Sequence, residues 1–134
     1  MTTLPSLHHQ EKEMTMSPQD EFVQRFFGLP STKEALEWLR RNDHKRLRTL
    51  GEYDTTANSI QLVEEMYAAG AVRVLAVEID AYEDEENTGK LVIELPTTQK
   101  DREKVLSIVG KIAESQGYDP EPDEEQRYVF VMLD

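Results

Sequence analysis

"VRVLAVEIDAYEDEENTGKLVIELP", residues 72–96, decides the fold. Its opening, "VRVLAVEI", is rich in β-branched and large apolar residues. Its close, "KLVIELP", alternates Leu91, Ile93 and Leu95 with Val92 and Glu94 and ends at Pro96. Both read as strands. Between them Asp80 is followed by four carboxylates in a row, Glu83, Asp84, Glu85 and Glu86. Carboxylates crowded in this way repel one another and favour water, so the stretch reads as the solvated connection of two antiparallel strands. "NTG" at 87–89 supplies the turn residues. A calcium loop counted from Asp80 would put Tyr82 at a ligand position, Glu85 where a glycine is required and Leu91 where a bidentate glutamate is required. That mismatch leaves protein recognition as the functional reading of the acidic run, and no metal or other cofactor is expected.

Helical periodicity flanks the two strands. "TANSIQLVEEMYAAG" (56–70) places Ile60, Val63, Met66 and Tyr67 on one face and stops at Gly70. "TTQKDREKVLSIVGKIAESQG" (97–117) carries Val105, Ile108, Val109 and Ile112 and stops at Gly117. "RLRTLGEYD" (46–54) and "RYVFVMLD" (127–134) add an outer strand at each end. The order strand, helix, strand, strand, helix, strand predicts an α+β domain over 46–134. It resembles the ferredoxin-like βαββαβ arrangement, a four-stranded antiparallel sheet with both helices on one face. That fold hosts many unrelated activities, so the resemblance implies architecture and no reaction.

Upstream, "SPQDEFVQRFFGLP" (17–30) and "STKEALEWLRRND" (31–43) predict an N-terminal arm of two helices over 18–45. Ser17 caps the first ahead of Pro18, and Ser31 with Glu34 has capping-box spacing for the second. Residues 1–17 are polar and without period and read as a disordered tail, with no basic and apolar leader. No apolar run reaches the ~20 residues that span a bilayer, so a cytoplasmic protein without membrane contact is expected.

The chain has 134 residues and a formal charge of −12. Residues 31–50 hold six Lys/Arg against three Asp/Glu, a local +3, whereas 51–134 hold seven against twenty, a local −13. An acidic body repels phosphate backbones, and the basic stretch "RRNDHKRLR" (40–48) has no interleaved aromatics, so nucleic acid is disfavoured as a partner. With no cysteine there is no thiol nucleophile or thiolate metal site. His8 and His9 are adjacent rather than at helical metal spacing, and His44 has no nucleophile beside it in sequence, so no catalytic residue is nominated. Asp54, Thr55 and Thr56 open a helix where an anion could bind, but without a glycine to let it approach they read as capping residues.

One pattern asks for a partner. The last strand is apolar on both faces, Tyr128, Phe130 and Met132 against Val129, Val131 and Leu133. Val74 and Val92 are expected on the face opposite the helices. A sheet with one wet face alternates apolar with polar, so this second face needs cover. Phe22, Phe26, Phe27 and Trp38 of the arm have the apolar surface to supply it, either within the chain or across a homodimer. The sequence therefore points to a non-catalytic interaction or regulatory domain acting through self-association or protein contacts. An acidic inhibitor or immunity-type protein that masks a basic partner is the alternative, followed by a small-ligand sensor or enzyme on the same sheet.

Overall fold

A computed structural model of the chain describes residues 16–41, 46–53 and 55–133. The expected tail with His8 and His9, the isolated His44 and Asp54 lie mostly or wholly outside them. Helix α1 (Pro18–Val23) starts where the Ser17 hydroxyl accepts the Asp20 amide at 3.0 Å and runs into a 3-10 turn, Gln24–Phe26. Strand β1 (Lys33–Glu34) leads into helix α2 (Ala35–Leu39), followed by strand β2 (Leu47–Leu50) and helix α3 (Thr56–Ala69). Strands β3 (Arg73–Ala76), β4 (Asp80–Tyr82), β5 (Glu85–Thr88) and β6 (Lys90–Glu94) precede helix α4 (Gln99–Ser115) and strand β7 (Tyr128–Met132).

The α+β class and a four-stranded antiparallel sheet are present, in the order β1-β3-β6-β7. The order is not ferredoxin-like. A split βαβ sheet would set the strand from residues 46–54 between β6 and β7. Here β6 and β7 pair directly, Leu91 with Val131 and Ile93 with Val129. β2 instead joins a second sheet, β2-β5-β4, running parallel to β5 with Arg48 opposite Glu86. The reason is charge: Arg48 is buried, and in the centre of an apolar sheet it would lack a partner. Against β5 its Nε donates to Glu86 Oε1 at 2.9 Å.

The arm also differs from expectation. Lys33 and Glu34 are extended, paired with Ala76 and Leu75 on the edge of β3, so α2 starts later than a Ser31 cap would allow. Glu34 caps it instead, its Oε1 accepting the Glu37 amide at 2.7 Å. Residues 18–41 do not sit apart from the rest: β1 extends the sheet, α2 enters the core under it, and α1 covers its other face.

Two apolar layers sandwich the four-stranded sheet. On one side Trp38 and Leu39 of α2, Leu62, Val63 and Met66 of α3 and Val105 and Val109 of α4 close over Val74, Ala76, Leu91, Ile93, Val129 and Val131. On the other, Val23 and Phe26, with Phe22 and Phe27, close over Leu75, Val77, Val92, Tyr128 and Phe130. The expectation for Val74 and Trp38 is corrected here. Antiparallel register sets Val74 opposite Ile93, and cross-strand partners share a face, so Val74 belongs to the helix side and Leu75 and Val77 take the second face. Trp38 follows α2 into the helix-side layer. Each large apolar side chain buried in this way is worth about 1.5–3 kcal/mol, which is why neither sheet face is left wet.

Candidate interaction surface

The residues nominated from the sequence divide into buried and open groups. Phe22, Phe26, Phe27 and Val92 form the second apolar layer, where Phe22 meets Phe130 edge-on at 5.1 Å and Phe27 meets Tyr128 at 5.2 Å. Trp38 and Val74 are wholly buried on the helix side. Glu83, Asp84 and Glu85 are exposed. They do not form a simple loop: β4 and β5 make a hairpin of their own, Tyr82 opposite Glu85, with Glu83 and Asp84 as its tip. Glu83 takes the left-handed conformation there, φ 42. The turn expected at "NTG" is absent because Asn87 and Thr88 are strand residues. The Asn87 amide donates to the Thr49 carbonyl, the Thr49 hydroxyl and the Gly51 carbonyl at 3.1, 2.9 and 3.1 Å, tying β5 to β2.

Glu86 is not part of the open acidic set. Its carboxylate accepts from Trp38 Nε1 at 2.8 Å, Arg48 Nε at 2.9 Å and an Arg46 guanidinium nitrogen at 3.3 Å. Burial pushes its carboxyl up, but the hydrogen bonds from Trp38 and Arg48 and the charges of Arg48 and Arg46 outweigh it and hold the group below the usual carboxylate range. It ties β5 to its neighbour β2 and to helix α2. At the start of α3 the Thr55 hydroxyl accepts the Asn58 amide at 3.0 Å, the capping role expected of it.

A concavity lies elsewhere, along the outer side of β7. It is a slot of about 340 Å³ between that strand, the last turns of α4 and the loop 118–121. Val109, Ala113 and Val131 form its floor, Phe130 and Met132 its strand side, and Tyr118, Asp119 and Glu121 its wall. Tyr118 and Met132 are 52% and 40% exposed, large apolar surface at the rim of a slot. No histidine, lysine or arginine lines it, and the lining contains no nucleophile beside a base. Among the described residues no group of three His, Asp or Glu is arranged to hold a metal ion.

The wall is a built structure. The Tyr118 amide returns to the Ala113 carbonyl at 2.8 Å, closing the end of α4. Pro120 packs over α4 at Gly110, where a Cβ would meet the proline ring at 3.3 Å. Further along, the buried Arg102 donates to Asp123 Oδ1 at 2.7 Å and to the Gln126 and Pro96 carbonyls at 2.9 and 3.2 Å. The hydrogen bonds from Arg102 and from the Glu125 amide bring the Asp123 carboxyl down to about 2. By contrast Asp119, Glu121, Glu124 and Glu125 make no ion pair among the described residues. The loop thus presents carboxylates beside an apolar slot, with no cation paired to them among the described residues.

Sequence reasoning missed this slot. Its signals were the two-faced apolar last strand and the proline-spaced acids of "YDPEPDEEQ" (118–126). Neither shows by itself that the loop turns back along the strand. No family model, curated protein or solved structure matches the chain.

Proposed function

We propose that the protein is a non-catalytic binding module whose acidic surface receives a basic segment of another protein at the slot beside β7. The observation that carries this reading is the pairing of exposed apolar surface, Tyr118 and Met132, with the carboxylates Asp119 and Glu121 on one rim. An apolar site flanked by like charges suits a segment that alternates apolar and cationic side chains, through burial for affinity and charge for steering and orientation. The acidic-inhibitor reading is a special case, in which the partner's basic surface is itself functional. Self-association through the second sheet face loses its motive, because the chain's own arm already buries Val92 and Leu75.

The test is calorimetric titration of the full chain with a short synthetic peptide of alternating lysine and valine, beside a glutamate–valine counterpart. The lysine peptide is expected to bind, and to weaken steeply as salt rises, since charges are screened beyond about 8 Å at physiological ionic strength. Equal binding of both peptides, or of the lysine peptide at all salt concentrations, contradicts the reading.

A further inference from the structure

The hydrogen bonds of β7 are unevenly satisfied. The Leu133 amide bonds to the Gly89 carbonyl at 2.7 Å and the Leu95 amide to the Arg127 carbonyl at 2.8 Å, which sets the odd-numbered residues of β7 facing β6. The amides of Tyr128, Phe130 and Met132 therefore point away from the sheet. An outward row of this kind invites another strand. The first two are occupied by side chains of α1: Asp20 Oδ1 accepts from Tyr128 at 2.8 Å, and Gln19 Oε1 accepts from Phe130 at 2.7 Å. Asp20 also takes the Arg127 amide at 2.9 Å, and Gln19 in turn donates to Glu121 at 3.1 Å. Helix α1 thus closes the edge up to residue 130 and stops. The Met132 amide has no such partner among the described residues, and Met132 lines the slot.

We propose that the partner segment enters this slot as an extended strand and adds to the open end of β7, which rests on the reading of the slot as a site for a basic segment. Its backbone pairs with the Met132 amide and with the outward carbonyls of Phe130 and Met132. Successive side chains of an added strand point to opposite faces. One set therefore meets the apolar floor at Val109 and Ala113, and the other lies by Asp119 and Glu121. The occupant is a basic partner and not a second copy, because pairing two β7 edges would bring Asp119 and Glu121 of both copies together at a chain charge of −12. Gln19 and Asp20 act as the stop that limits where the added strand can lie.

The experiment uses the full chain and the lysine–valine peptide N-methylated on all its valine amides or on all its lysine amides. Methylation keeps charge and side chains and removes backbone donors. Strand addition uses one alternating set of amides and leaves the other in solvent, so one methylated peptide is expected to bind about tenfold or more weakly and the other as the parent does. The substitution Met132→Pro removes the outward amide at an edge position that tolerates proline. It is expected to give a similar loss with an unchanged melting temperature. Undiminished binding of both methylated peptides overturns strand addition and leaves the basic-segment reading standing. Failure of the parent peptide to bind even at low salt overturns both.

Discussion

Phe26 lies flat against Phe130, ring centroids 5.7 Å apart and planes 3° from parallel. One ring belongs to the N-terminal arm and the other to the last strand, so this contact fastens the two ends of the described chain. Phe22 meets both rings edge-on, at 5.7 Å from Phe26 and 5.1 Å from Phe130. The arm is structural. It covers the sheet face that the sequence leaves apolar, and it carries Gln19 and Asp20 to the edge of β7.

Replacing Phe26 by alanine is therefore expected to destabilise the fold by about 3–5 kcal/mol, as for other buried aromatics. The cost falls on the second apolar layer, so thermal unfolding should remain a single transition at a lower temperature. Denaturant unfolding of F26A at neutral pH provides the number, and a loss below about 1 kcal/mol would show the arm to be an appendage.

Glu86 is one partner of the buried Arg48, accepting from its Nε at 2.9 Å. Glu86→Ala removes that carboxylate and is expected to cost about 3–5 kcal/mol. Glu86→Gln keeps an acceptor for the Trp38 indole and Arg48 Nε and should cost less. Equilibrium unfolding of the two variants separates charge from hydrogen bonding, and equal losses would mean that the retained acceptor contributes nothing beyond the charge.

Acid stability follows from Asp123. Its carboxyl lies at about 2, below an ordinary value of 3.8. A group depressed in the folded state stabilises the protein fully above its unfolded value, and the contribution is lost as pH falls through the folded value. Stability carried by the Arg102–Asp123 contact is thus expected to fall between about pH 4 and 2. Asp123→Asn should flatten that part of the pH–stability curve, and a curve as steep as that of the parent would place the acid sensitivity elsewhere.

At the alkaline end, burial and the hydrogen bond to Glu34 push the Tyr67 phenol up to about 12 from 10.0. Its hydroxyl donates to Glu34 Oε2 at 2.5 Å and accepts the Val74 amide at 3.0 Å. Here the sign reverses: the stabilisation is complete below the unfolded value and is lost as pH rises from 10 towards 12. Tyr67→Phe should remove that alkaline loss and lower stability at neutral pH by about 1–3 kcal/mol, because the Val74 amide is left unpaired. Absorbance titration of the phenol and unfolding above pH 9 test both halves.

The elements with a clear period were legible in the sequence. Gly70 ends α3 as expected, and Leu91, Ile93 and Leu95 face the helices. The two-faced apolar β7 correctly demanded a second cover, which Phe22, Phe26 and Phe27 supply. Strand pairing was not legible. The choice of β5 over β6 as neighbour of β2 turns on Arg48 and Glu86, two residues whose meeting no local pattern announces. The acidic run looked like a loop because its carboxylates are solvated, yet Asn87 ties it into a sheet. The slot was hidden for the same reason: it is made by a return of residues 118–126 against β7, held by Arg102 from a distant turn of α4.

The proposed docking of a basic segment at the slot predicts that the exposed acidic β4–β5 hairpin takes no part. Amide chemical-shift mapping of the full chain during titration with the lysine–valine peptide tests this directly. Saturable shifts are expected at Ala113, Tyr118, Asp119 and Met132, with Tyr82, Glu83 and Glu85 unmoved. Shifts centred on Tyr82 to Glu85, or a weak non-saturating drift spread over all acidic residues, would contradict it.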